Sequence, residues 1–309
     1  MTRYRNTVLF LVLAAVWGSA FMAIKAGVEH IPPVLFAALR YDIAGILMLL
    51  YAIFVVDDWV PTTREGWLEV GIGGVFMIAA YHAFLFVGEA GPVSSAAAAV
   101  LIALSPVLTT AFARLLLPDE PVTPATWLGM VLALVGVGIL VNPDPSNLLT
   151  DAVVSKLLVF AAAAAFAFGS VFTRRIQSGL PIETMEAWSM LLGALLMHAV
   201  SFAMPSESFA AIEWTGTAIA SLAYLALAAS AVGFLIYFDL LERLGPVEIN
   251  MVSYVAPVFA ALAGLLVLDE PITLYTVAGF LVIFAGFVVV KHRSISTELD
   301  GVLSGVSGD

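Results

Sequence analysis

The side chains with chemistry to offer are few, and the informative ones stand inside long apolar runs. Asp42 lies about eight residues into the run 34–56, or about 12 Å from its start at 1.5 Å per residue. An ionisable group at that depth costs roughly 2.5–3.5 kcal/mol to insert. Asp42 is therefore either a proton carrier that releases its proton when its surroundings open to water, or an acid held by a basic residue on a neighbouring helix or by a polar cavity. Arg40 is a poor partner for it, because residues two apart on a helix do not face each other. Arg40 and Lys25 lie within about three turns of the ends of their runs. Together they can draw an anionic group into a water-filled mouth, with the guanidinium binding a carboxylate bidentately. The alternative is structural: Lys25 reaches up to the headgroups, and Arg40 pairs with Glu89 or with a carbonyl across the bundle.

His82, preceded by Tyr81, can shuttle protons near neutral pH or simply pack with a hydrogen bond. Trp17, Tyr81, Tyr237 and Tyr254 can line a cavity for apolar or aromatic groups, or belong to an interfacial belt. Trp17 and Tyr254 lie deepest. The candidate substrate-binding set is thus Trp17, Ser19, Lys25, Arg40, Tyr81, His82 and Tyr254, with Asp42 as the candidate proton-coupling group. Pro106 and Pro257, each of which removes a backbone donor inside a helix, are candidate hinges. The four histidines are scattered at 30, 82, 198 and 292, and there is no cysteine, so neither a metal site nor a cofactor is expected.

These residues must be positioned by membrane helices. The chain has 309 residues, 62% hydrophobic and 11% charged, against roughly 45–50% and about 25% in soluble domains. Ten apolar runs fit spans of about 20 residues: 7–27, 34–56, 68–88, 94–117, 123–141, 153–173, 183–203, 216–240, 247–268 and 273–290. None alternates in the manner of a barrel strand. The expected fold class is an all-α integral membrane protein. The first run is too long for a cleavable signal peptide and lacks a small-x-small site. Of twelve Lys and Arg, nine collect on one side if the N-terminus is cytoplasmic: Arg3, Arg5, Arg64, Arg114, Arg174, Arg175, Arg243, Lys291 and Arg293. Both termini are therefore predicted cytoplasmic. The polar stretch 294–309 reads as a disordered tail. A net charge of −11 excludes a nucleic-acid partner; the expected partners are the lipid bilayer and a small-molecule substrate, with a monomer or homodimer as the assembly.

The sequence is also written twice. Asp119-Glu120-Pro121-Val122-Thr123, through Gly129 and Gly136, recurs as Asp269-Glu270-Pro271-Ile272-Thr273, through Gly279 and Gly286. Gly91-Pro92-Val93 recurs as Gly245-Pro246-Val247, and Trp17-Gly18-Ser19 has its counterpart in Phe168-Gly169-Ser170. Residues 1–145 and 146–293 are two repeats of five spans each, so the second enters the membrane from the side opposite the first. Inverted repeats of this kind exchange conformations about a midplane site, which is alternating access. Gly129 with Gly136, and Gly279 with Gly286, each mark one face, so spans five and ten form a matched interface either within the bundle or between subunits.

With its Trp17-Gly18-Ser19, Lys25, Pro32-Pro33 and Leu39-Arg40-Tyr41, its Gly-Pro before spans four and nine, and the acidic-Glu-Pro turn after each, the chain resembles the EamA-type members of the drug/metabolite transporter superfamily across residues 7–290. The resemblance implies a ten-helix secondary transporter of the plasma or inner membrane, often an exporter of amino acids or other small metabolites. A proton-coupled exporter of drug-like cations is the alternative. An enzyme would need a nucleophile and base or a metal set, a channel a repeated pore loop or charged ring, and a nucleotide-driven pump a phosphate-binding loop; none of these patterns occurs.

Overall fold

The computed structural model describes residues 2–116, 123–142 and 150–306, and all ten expected spans form helices within them. They are α1 (Thr2–Val28), α2 (Pro33–Val55), α3 (Arg64–Ala90), α4 (Ser95–Leu116), α5 (Pro124–Val141), α6 (Asp151–Ile176), α7 (Ile182–Ala203), α8 (Gly216–Gly245), α9 (Glu248–Leu268) and α10 (Leu274–Val306). Among the described residues the first nine are long and apolar enough to cross a bilayer, and α10 adds a shorter apolar stretch, Leu274–Val290. Their starts are written locally. Thr63, Ser94, Thr123, Thr150 and Thr215 each accept a hydrogen bond from the backbone N–H three residues on, satisfying an orphan donor of the first turn. Pro32 and Pro181 stand at the corresponding starts of α2 and α7. α10 continues as helix through residue 306, where a disordered tail was expected. The stretch contains no proline to stop it.

The helices alternate up and down. The face at which α1 begins is called here the near face, and the opposite one the far face. Contacts at each end agree with this: Arg5 of α1 pairs with Asp239 of α8 at the near face, and the backbone N–H of Glu213 donates to the His30 carbonyl between loops at the far face. The packing obeys an exchange of each helix with the one five places on. Helices α2 and α7, α4 and α9, and α5 and α10 pack as pairs, while α1 on α9 is matched by α6 on α4, and α3 on α6 by α8 on α1.

The α5–α10 pair lies within the bundle. A Cβ on Gly136 would come 2.9 Å from the Gly279 carbonyl oxygen, and one on Gly129 would come 2.6 Å from that of Gly286. Backbone meets backbone here, so only a residue without a side chain fits. The turns Asp119-Glu120-Pro121 and 143–149 lie outside the described residues. In the second repeat, Asp269 takes a left-handed conformation (φ 53°) and ends α9.

Three local departures from regular helix matter for the site. Helix α4 breaks between Ile102 and Ser105, next to Pro106, and Ser105 Oγ donates to the Ile102 carbonyl that the proline cannot serve (2.8 Å). Pro257, expected to interrupt α9 likewise, sits inside a continuous helix; the interruption in that repeat falls instead at Gly245, φ 79°, between α8 and α9. Finally, α3 and α8 each contain a π-helical stretch, Gly73–Ala80 and Tyr224–Val232, at matching places in the two repeats. The wider turn of a π stretch disturbs the regular backbone ladder and often marks a functional position.

Candidate functional site

The π stretches are where polar side chains of α1, α2 and α3 bond to the backbone or to Ser230. Arg40 of α2 is 6% exposed, and its Nε donates to Ser230 Oγ in the α8 stretch at 3.0 Å. Its guanidinium carbon sits 5.0 Å from the Tyr41 ring centroid. Trp17 Nε1 donates to the Ala229 carbonyl of the same stretch (3.0 Å), and Tyr224 Oη returns a bond to the Val16 carbonyl (3.0 Å). In α3, His82 Nδ1 lies 2.9 Å from the Ile78 carbonyl, and its Nε2 lies 2.7 Å from Tyr41 Oη. A carbonyl can only accept, so Nδ1 carries the proton and Nε2 accepts from the tyrosine hydroxyl. The ring of Tyr81 stands edge-on to His82 at 4.4 Å. Thus Trp17, Arg40, Tyr81 and His82, from three helices, form one group, joined by Tyr41, Tyr224 and Ser230, with Arg40, Tyr41, His82 and Ser230 buried and the others half-buried.

The charge in this group has no ion-pair partner: among the described residues no carboxylate lies within ion-pairing distance of Arg40, and no hydrogen bond uses its terminal nitrogens. Glu186 of α7 is 9% exposed and also makes no hydrogen bond or ion pair among the described residues. It lies within electrostatic range of Tyr41 and of Tyr237, whose ring packs 5.5 Å from Trp17. At the near face a cleft of about 360 Å³ opens among Tyr51, Ile182, Glu183, Leu235, Phe238 and Asp239. Glu183, one of the residues lining the cleft, lies three residues from Glu186 on α7 and shares its face; no lining residue belongs to the Arg40 group.

The far face is tied shut by contacts between the halves. Glu270 Oε2 accepts from the Ser95 backbone N–H at the start of α4 (2.9 Å), and Glu207 Oε2 from that of Leu35 at the start of α2 (3.0 Å). Each is an acidic cap on a helix N-terminus, supplied by the other repeat. Lys25 Nζ donates to the carbonyls of Glu89 (2.9 Å) and Gly91 (2.6 Å) at the end of α3. It neither reaches to the headgroups nor joins the Arg40 group.

Two further expectations, on Asp42 and Tyr254, need correction. Asp42 is not in the cavity: its side chain is 40% exposed and bonded to His198 Nε2 at 2.7 Å. The reason is angular, since two residues at about 100° each carry it some 200° round α2 from the inward-facing Arg40. Ser19 needs none: its Oγ donates to the Ala15 carbonyl of its own helix (2.7 Å), and its side chain also meets the Tyr224 hydroxyl of the polar group. Tyr254 is buried against Phe284 and Phe287 of α10, apart from the Arg40 group, and its hydroxyl has no partner. Sequence reasoning missed Ser230, Tyr224 and the two π stretches, for which the composition carries no signal. It passed over Glu186, which the rule applied to Asp42, an acid inside a span, would have found.

A ten-helix apolar bundle of two matching halves around a polar centre is the architecture of a multi-pass membrane protein. The model of the EamA-like transporter family matches the chain twice, at residues 5–142 and 154–291. The chain belongs to that family. It is similar, at 28% identity over 94% of its length and 100% of the relative, to a protein of Archaeoglobus fulgidus named an uncharacterized transporter. An uncharacterized inner membrane transporter of Escherichia coli K12 is 29% identical over 82% of this chain and 79% of its own. A protein of Salmonella typhimurium named a probable amino-acid metabolite efflux pump is 29% identical over 91% and 93%. One solved crystal structure shares the fold, with a TM-score of 0.64 at 23% identity over 94% of this chain and 98% of that one.

Proposed function

We propose that this protein is a secondary transporter that exports small zwitterionic metabolites such as amino acids across the plasma or inner membrane by alternating access, with both termini cytoplasmic. The observation that carries the reading is Arg40: a buried guanidinium with no countercharge is expensive in an apolar bundle unless a ligand supplies one. A carboxylate fits its free terminal nitrogens bidentately. Glu186, buried and unpaired on the helix that faces α2, receives the ammonium group of the same substrate. The Tyr41–His82 pair gives a fixed polar wall, and Trp17, Tyr224 and Tyr237 give an aromatic one for the substrate side chain. With the near face as the cytoplasmic one, the closing contacts of Glu270 and Glu207 at the far face support reading this arrangement as inward-facing, and the exchange of conformations between repeats would give the outward-facing one. The alternative, a proton-coupled exporter of drug-like cations, gains nothing from Asp42, which is part exposed and bonded to His198.

The test is counterflow in proteoliposomes, with the common amino acids screened as unlabelled competitors. Saturable exchange is expected, and Glu186→Gln is expected to weaken zwitterions while sparing carboxylates that lack an amine. Flux that does not saturate would show a pore instead. Equal loss of both substrate types would remove Glu186 from the site.

A further inference from the structure

Glu89 lies two turns beyond His82 along the same stripe of α3, about 10 Å nearer the far face. It is 0% exposed, and neither carboxyl oxygen has a hydrogen-bond partner. The charged and polar groups around it come from every neighbouring element. Lys25 of α1, Arg40 of α2 and Glu270 at the end of α9 reach it electrostatically, with Tyr81 on its own helix. Ser95 of α4, held by Glu270, also has an unpartnered hydroxyl, and α6 brings Ser155 against Gly88 and Gly91. Lys25 is close enough to hold the backbone carbonyl of Glu89 itself, yet it donates to that carbonyl and to Gly91 rather than to the carboxyl. A buried carboxylate that leaves an adjacent ammonium unused would forgo its one strong compensation. A neutral carboxyl has no such need.

We propose that Glu89 is a proton-binding site of the transport cycle, protonated while the far face is sealed and deprotonated to far-side water when that face opens, with Lys25 then turning from the two carbonyls to the carboxylate. No other covalent bond changes: the O–H of the carboxyl breaks, and the proton leaves with water. The inference rests on alternating access but not on the identity of the substrate. Glu89 thereby takes the role that sequence reasoning assigned to Asp42. Because the sealed state holds the proton, rising pH favours the open far face, by at most about tenfold per pH unit for one proton.

The chain contains no cysteine, so single thiols report cleanly. Val93→Cys places one in the buried far-face loop and Leu241→Cys one on the near-face cleft. In nanodiscs, labelling by a hydrophilic maleimide is corrected at each pH for the rate with a free thiol. The corrected rate at Val93→Cys is expected to rise about tenfold from pH 6 to pH 9 while that at Leu241→Cys falls. Adding Glu89→Gln, the shape of the protonated carboxyl, is expected to hold the far face sealed and cut the response below about twofold, whereas Glu89→Asp keeps it with a displaced midpoint. A response that survives Glu89→Gln, or that is missing from the parent, overturns the proposal. If Glu89→Gln does not fold, an unmoved midpoint in Glu89→Asp overturns it. Two faces whose labelling never varies reciprocally would refute alternating access and this inference with it; reciprocal faces with a response indifferent to Glu89 would refute this inference alone.

Discussion

Replacing Arg40 by glutamine separates function from stability at one position. The side chain keeps an N–H able to reach toward Ser230 but loses the charge and the pair of terminal nitrogens left unused by the protein. A hydrogen bond to a charged group is worth roughly 1.5–3 kcal/mol, and burial of Arg40 to 6% exposure places this one at the upper end. The loss corresponds to about 10- to 150-fold weaker binding at 1.4 kcal/mol per decade. The fold should not suffer in step, because removing an uncompensated buried cation relieves a desolvation penalty. The expected outcome for Arg40→Gln is therefore a half-saturation concentration in counterflow raised at least about tenfold, with a melting temperature unchanged or raised in the same detergent. Arg40→Lys should recover only part of the binding, since an ammonium lacks the planar fork. Unchanged affinity and rate in Arg40→Gln would refute the site. A large fall in melting temperature would show that the charge is compensated within the protein and that the reasoning about it is wrong.

Two further outcomes test the frame around the site. Gly136→Val puts a Cβ 2.9 Å from the Gly279 carbonyl and forces α5 from α10; a loss of about 1–3 kcal/mol is expected from overpacking, measured by thermal unfolding, while Gly138→Ala, with open space at its Cβ, should change little. Asp42→Asn should leave transport and its pH dependence intact and lower stability by less than about 1 kcal/mol, because the pair with His198 is 40% and 28% exposed; a transport defect would return Asp42 to the mechanism.

Much of the frame was legible because the bilayer makes it local. Spans, caps and glycine stripes follow from rules that act over one helix: a length that crosses hydrocarbon, a threonine before the first turn, a glycine where backbones touch. The duplicated Asp-Glu-Pro turn was legible as a repeat, yet its use was not, since Glu270 closes a contact with Ser95 that lies 175 residues away. The site was half legible. Arg40, Tyr81, His82 and Trp17 declare themselves as polar groups in apolar runs, and the structure joins them.

Their division of labour was not legible. Asp42 and Arg40 are two residues apart and look equally buried in a linear reading, but the helix turns one inward and the other toward His198. Glu89 stands near the end of its run, and only the packing of α1, α4, α6 and α9 around it leaves it fully buried with both carboxyl oxygens unbonded. The sequence by itself determined the membrane solvent, the ten helices and their duplication, because those depend on hydrophobicity summed along the chain. The tertiary structure decided which charges have partners, because pairing depends on the angle of each side chain about its helix and on what the other repeat brings to meet it.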